Sequence, residues 1–315
     1  MRIVIVGGGA IGRLFGSLLA KAKNEVTLLD IDAEVVDAMK DKGIGVVASS
    51  MGDPDMVTPV PVTAITDASL VSGCDLVMLM VKSFATRVAT ESVAHLINSD
   101  CPLLGVQTGL GNIEIMEQLV PRQHILAGFT FMSGTALGTS KVRYGREGKT
   151  YIGELDGQIT ERVQKIANVF EAGGITTQVA KRIVGRLWCK VIVYSAINPL
   201  SSILKVPNGC LTGKMESITL MKRLLDEGKA VADACGIDLV YKDLYELLFD
   251  ACQRSSNNLS SMLQDILNDR MTEIDAQNGA ICRYAAERGI SVPTHQAMVE
   301  LVKLLEKWRP GMEQF

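Results

Sequence analysis

The first thirty residues constrain this chain more than any other stretch. Arg2–Val6 is a short apolar run that ends on Gly7-Gly8-Gly9-Ala10-Ile11-Gly12, a G-x-G-x-x-G pattern with its glycines at 7, 9 and 12. A helical periodicity follows in Leu14, Phe15, Leu18 and Leu19. A second strand pattern, Glu25–Leu29, closes on Asp30, 18 residues beyond Gly12. Strand, glycine turn, helix, strand and acid, in that order, open a βαβ unit. In such a unit the glycines allow a tight turn and let backbone N–H groups approach a pyrophosphate at the helix N-terminus. The acid accepts hydrogen bonds from an adenine ribose. Gly7, Gly8, Gly9, Ala10, Ile11, Gly12 and Asp30 are therefore the expected dinucleotide cradle. A carboxylate at 30 repels the 2′-phosphate of NADP, and no Arg or Lys follows until Lys40, which favours NADH.

Further apolar runs at Asp75–Val81, Pro102–Gln107 and His124–Met132 alternate with helical patterns. Continuous apolar runs suit a parallel sheet covered on both faces, whose ligands sit at the carboxyl ends of the strands. Lys82 and Thr108 stand just past two such ends; they, and also Gly134, are expected on the cofactor side. Arg143–Leu155 alternates about a glycine turn and reads as a hairpin at the sheet edge. A helix is expected over Glu161–Glu171 and a strand over Ile175–Val179.

From Lys181 onward the pattern is helical, which divides the chain into residues 1–180 and 181–315. Lys190, Tyr194 and Asn198 recur every four residues and share one stripe of a helix whose other residues are mostly apolar: Ile183, Val184, Leu187, Trp188, Val191, Ile192, Val193 and Ile197. A buried lysine and asparagine need partners. Lys190 either snorkels to the surface or lines a cleft between two domains and handles a proton there. A reference lysine pKa near 10.4 would keep it protonated. Pro199 is expected to end or kink the helix just past Asn198. Further helices are expected at Met215–Cys235, Lys242–Arg254, Ser261–Asn268, Ile274–Arg288 and Thr294–Lys307, with a serine of 255–261 capping the third and Thr272 capping the fourth.

Composition excludes other classes. Hydrophobic residues make up 47% and charged residues 21% of 315, with a net charge of −3 and no basic run, so nucleic acid is not an expected partner. The seven cysteines are scattered and the three histidines are far apart, which predicts neither a disulfide framework nor a metal site. No apolar run reaches the roughly 18 residues of a membrane helix, and no signal peptide is read at the start, so the expected location is the cytoplasm.

The chain resembles the ketopantoate reductase (2-dehydropantoate 2-reductase) family over its whole length. The resemblance rests on Gly7–Gly12, Lys82, Gly109-Leu110-Gly111-Asn112-Ile113-Glu114, Leu187-Trp188-Cys189-Lys190, Ile197-Asn198-Pro199-Leu200, Pro207-Asn208-Gly209, Ser260-Ser261-Met262-Leu263-Gln264-Asp265 and Thr272-Glu273-Ile274-Asp275 with Asn278-Gly279. It implies an α/β N-terminal Rossmann domain, an all-α C-terminal domain like that of 6-phosphogluconate dehydrogenases, and reduction of a 2-oxo acid by NAD(P)H in pantothenate biosynthesis. By resemblance Lys190 is the catalytic lysine, and Glu273 is its acidic partner near the nicotinamide ribose. Tyr194, Asn198, Asn208, Asn258 and Ser261 fall at substrate positions. Family members favour NADPH, against the reading of Asp30. The family usually has Asn where Thr108 and Tyr194 stand, which opens the pocket to a different 2-oxo acid. The expected partner is that small molecule, with a homodimer left open. Another hydroxyacid dehydrogenase of the 6-phosphogluconate type, or a non-catalytic NAD(H)-binding sensor, are the alternatives.

Overall fold

The computed structural model describes residues 1–48 and 57–308. Among these, eleven short strands carry the first half: β1 Arg2–Val6, β2 Glu25–Leu29, β3 Gly45–Val47, β4 Thr63–Ile65, β5 Leu76–Leu79, β6 Leu103–Gly105, β7 Ile125–Thr130, β8 Ser133–Leu137, β9 Lys141–Arg146, β10 Thr150–Glu154 and β11 Thr177–Val179. Helices α1 Ala10–Lys21, α2 Ala33–Lys42, α3 Thr86–Val93, α4 Asn112–Glu117 and α5 Glu161–Ala172 lie between them. The main sheet runs β11-β10-β7-β6-β5-β1-β2-β4, and its stretch from β4 to β7 is parallel. That stretch is the doubly wound order of a Rossmann fold.

The apolar runs are strands because both faces of the sheet are covered. Leu14, Phe15, Leu19, Ile166 and Phe170 pack one face, with the Phe15 and Phe170 rings edge to face at 5.8 Å. Val93, Leu96 and Met116 pack the other. Fully burying one such side chain stabilises the fold by roughly 1.5–3 kcal/mol.

The expected hairpin at Arg143–Leu155 does not form. Its first half, β9, pairs with β8 and β3 in a separate three-stranded sheet, while its second half, β10, pairs antiparallel with β7 and parallel with β11. The reason lies in burial. All five residues of β10 are buried, as an interior strand requires, whereas β9 alternates. The Tyr151 ring also stacks on Phe129 of β7 at 5.2 Å.

The chain divides into two compact units, Met1–Gln107 with Asn112–Ile183, and Val184 onward with Thr108–Gly111. The second unit is helical: α6 Ile183–Leu204, α7 Met215–Ala234, α8 Leu244–Arg254, α9 Ser261–Leu267, α10 Asn278–Glu287 and α11 Pro293–Lys307. By length and composition α6 could cross a bilayer, contrary to the expectation that no segment would, but 83% of that window is buried inside the protein. It is the core helix of its unit.

Of the two outcomes expected at Pro199, an end does not occur: α6 continues to Leu204. A proline removes the N–H that would bond the carbonyl four residues back. That carbonyl belongs to Ser195, and the Asn278 side chain donates to it instead at 2.9 Å. Asn278 is fully buried and also contacts His295 Nδ1 at 3.1 Å. Burial pushes the His295 pKa down to about 4, so the ring is neutral near pH 7. The helix expected at Ile274 starts four residues later, at Asn278. Thr272 therefore does not cap it: Thr272 Oγ1 accepts from Ile274 N at 3.2 Å within a turn and donates to Glu306 at 2.6 Å. Ser260 caps α9 through Leu263 N.

Candidate active site

In the first unit the glycine loop is shaped by close approach. A Cβ at Gly12 would stand 1.9 Å from the Gly7 carbonyl oxygen, so helix α1 can meet β1 only with glycine there. Gly7 has φ +112°, a conformation closed to most side chains, and a Cβ on it would stand 2.9 Å from the Met80 backbone. At Gly9 a Cβ would meet nothing within 4 Å, so this side of the loop is open. Gly9 is the N-cap of α1 and makes no side-chain cap bond. The first N–H groups of a twelve-residue helix thus face an open position with the positive end of the helix dipole behind them. That is a site for an anion such as a pyrophosphate.

Asp30 closes the cradle. Its Oδ2 accepts from Gly8 N at 2.5 Å and its Oδ1 from Asp32 N at 3.0 Å. Each oxygen keeps a second lone pair for a ribose hydroxyl. Ile31, beside it, is 93% exposed. Gly134 lies in β8, and a Cβ there would stand 3.8 Å from the Ala10 carbonyl oxygen, so β8 flanks the start of α1. Lys82 is half-buried and begins the turn after β5.

Arg13 escaped the sequence reading. It is 4% exposed, and its guanidinium donates to Gly8 O at 2.6 Å, Gly138 O at 2.8 Å and Lys141 O at 3.1 Å. It ties the glycine loop to the small sheet from behind. The available signal was a charged residue on an otherwise apolar helix, next to the last motif glycine.

In the second unit Lys190 is 7% exposed on α6 and does not snorkel free. Its Nζ donates to Thr108 Oγ1 at 2.9 Å and lies 5.8 Å from the centroid of the Tyr194 ring. Thr108 and Tyr194 are therefore both neighbours of this lysine. Burial pushes the Lys190 pKa down to about 7, with the negative charge of Glu273 opposing the fall. The expectation of a mostly protonated lysine, which rested on the reference pKa, thus fails at neutral pH, because desolvation disfavours the cation. A lysine of this kind can give a proton as the ammonium and take one as the neutral amine near pH 7.

The other expected residues are distributed as follows. Asn198 is 3% exposed, and its Nδ2 donates to Gln277 Oε1 at 2.9 Å. Asn208 is 4% exposed; its Nδ2 donates to Ser255 Oγ at 3.0 Å and its N to the Asn258 carbonyl at 3.0 Å. Asn258 is half-buried, and Ser261 is exposed beside the capping Ser260. Glu273 opens the turn before α10, where its carbonyl accepts from Ala276 N and Gln277 N at 3.1 Å. Gln277 and Asn278 were missed as side-chain partners, since the residues they hold lie 79 and 83 positions earlier.

Two family models match, "Ketopantoate reductase PanE/ApbA" over residues 3–157 and "Ketopantoate reductase PanE/ApbA C terminal" over 182–306. The 2-dehydropantoate 2-reductase of Halobacterium salinarum is 32% identical over 308 residues, covering 98% of this chain and 99% of that protein. That of Pyrococcus abyssi is 31% identical, covering 96% and 97%. Among solved structures, D-mandelate dehydrogenase with NADH and anilino(oxo)acetate superposes with TM-score 0.90 at 27% identity, covering 98% of this chain and 99% of that one. A PanE/ApbA family ketopantoate reductase from Ralstonia eutropha gives 0.87 at 29%, with the same coverage.

Proposed function

The chain belongs to the ketopantoate reductase family of nicotinamide-dependent oxidoreductases acting on CH–OH groups, and from that premise we propose that it reduces ketopantoate or a related 2-oxo acid with NADH, Lys190 serving as general acid. The observation that carries this reading is Lys190 itself: buried, bonded to Thr108, beside Glu273, with its pKa near 7.

The bound nicotinamide supplies the hydride that reduces the ketone carbon. The chain's residues do the rest. The α1 N-terminus and the backbone of Gly7–Gly12 hold the pyrophosphate; Asp30 holds the ribose and repels a 2′-phosphate, which supports NADH. Ile31 offers an apolar face for the purine. Lys82, Thr108, Gly134 and Glu273 belong on the cofactor side. Negative charge develops on the ketone oxygen as its carbon is reduced. The Lys190 ammonium stabilises that charge and then transfers a proton from Nζ to the oxygen, leaving the 2-hydroxy acid and a neutral amine that solvent reprotonates. Thr108 Oγ1 aims the ammonium, and Glu273 keeps it charged. Asn198 offers an N–H to the substrate carboxylate, with Tyr194, Asn208, Asn258 and Ser261 completing the contacts. A homodimer is compatible with this assignment.

A second reading has one observation in its favour. The Tyr194 ring beside Lys190 would receive a flat aromatic substituent, and the structure that superposes at 0.90 is that of a D-mandelate dehydrogenase. The test is steady-state oxidation of NADH and NADPH with ketopantoate and a panel of aliphatic and aryl 2-oxo acids. NADH-preferring turnover that Lys190→Ala lowers by about 10²–10⁴ in kcat, with NADH affinity unchanged, is the expected result. A fully active Lys190→Ala enzyme removes Lys190 from the mechanism.

A further inference from the structure

The turn from Glu273 to Asn278 does more for α6 than its loop conformation suggests. Glu273 supports the charge of Lys190. The Ala276 carbonyl accepts from Leu110 N at 2.8 Å, which holds the Thr108–Gly111 segment whose threonine meets Lys190. Gln277, 1% exposed, accepts from Asn198 Nδ2 at 2.9 Å. Asn278 replaces the hydrogen bond that Pro199 deletes at Ser195. Four of six consecutive residues therefore act on one helix or on the partner of its lysine.

We propose that this turn is a brace for the substrate face of α6, in which Gln277 is the positioning residue for Asn198. The inference rests on the reading of Asn198 as a substrate contact. A buried side-chain amide without a fixed partner samples several rotamers, and the substrate must then select one at an entropic cost. Gln277 removes that cost by engaging one hydrogen of the Asn198 amide in the free enzyme. The second hydrogen remains for the substrate carboxylate. Gln277 itself is held by its backbone N–H on the Glu273 carbonyl at 3.1 Å. The same turn thus registers Asn198 and Glu273 together. Gln277 touches no reacting atom, so its effect belongs in substrate affinity and not in the chemical step.

The test is a double-mutant cycle on the full chain, using whichever 2-oxo acid turns over fastest. Gln277→Met keeps the shape and removes the acceptor. It should raise KM for the 2-oxo acid by about tenfold, the upper end of what one net hydrogen bond is worth. The kcat and the NADH dissociation constant should stay within about twofold of the parent, a split that general loss of structure does not produce. With Asn198→Ala in place, adding Gln277→Met should raise KM no further. Should the methionine variant not fold, Gln277→Asn gives the same readout, because the shorter amide falls short of Asn198. If Asn198→Ala raises KM and neither Gln277 variant does, the brace is overturned and the substrate role of Asn198 stands. If Asn198→Ala leaves KM unchanged, the substrate role of Asn198 fails, and the inference fails with it.

Discussion

Replacing Lys190 by methionine should make the protein more stable, and by an amount that depends on pH. Lys190 has its ordinary pKa of 10.5 when unfolded and about 7 when folded. Between those values the unfolded chain binds more protons than the folded one, so stability rises with pH and is lost as pH falls toward 7. Linkage puts the cost of the buried charge at about 4 kcal/mol at pH 7 and about 2 kcal/mol at pH 9. Methionine occupies a similar volume with no charge. Losing the bond to Thr108 gives back about 1 kcal/mol. The variant should therefore gain roughly 3 kcal/mol at pH 7, and the gain should shrink by about 2 kcal/mol at pH 9. The assay is guanidinium unfolding of parent and variant at pH 7, 8 and 9, followed by tryptophan fluorescence. Groups elsewhere cancel in the difference between the two proteins. A difference that stays flat from pH 7 to 9 would refute the buried-ammonium argument, and with it the account of Lys190 as an acid poised at neutrality.

Two further substitutions test the neighbours. Asp30→Ser should raise the kcat/KM ratio of NADPH to NADH, since the carboxylate that repels a 2′-phosphate is gone; an unmoved ratio would mean that Asp30 does not face the ribose. Thr108→Val removes an acceptor from the Lys190 ammonium. For reduction, kcat/KM falls as pH rises through the Lys190 pKa, because the acid form is the working one. That alkaline limb should move to lower pH by up to about one unit in the valine variant, and a limb that stays put would make the Thr108 contact incidental.

The parts of the site that were legible in the sequence are those whose geometry is local. Gly7–Gly12 and Asp30 sit on one strand, turn, helix and strand, and parallel pairing of β1 with β2 brings Asp30 to Gly8 without help from the rest of the chain. Lys190, Tyr194 and Asn198 share a stripe because helical spacing alone puts them there. What was not legible depends on partners far along the chain. The alternation in 143–155 looks like a hairpin until β7 and β11 claim its second half. Pro199 reads as an end or a kink, and an end is avoided because Asn278 supplies the missing donor. The pKa of Lys190 was misread because desolvation belongs to the folded core and not to the residue.

Thr108–Gly111 carry a consequence for inheritance. The four residues are encoded in the first half of the gene, yet they pack with the helical unit encoded in the second. A recombination event near codon 184 would carry Lys190, Tyr194 and Glu273 into a new background and leave Thr108 behind. A chimaera made that way keeps the first unit's main body and the helices, but splits residues 108–111 from the helical unit and sets the incoming lysine against a foreign partner. Residues 108 and 190 are therefore a contacting pair that such a break separates. Exchanging the halves of two relatives changes the environment of the lysine even when every residue of the helical half is preserved.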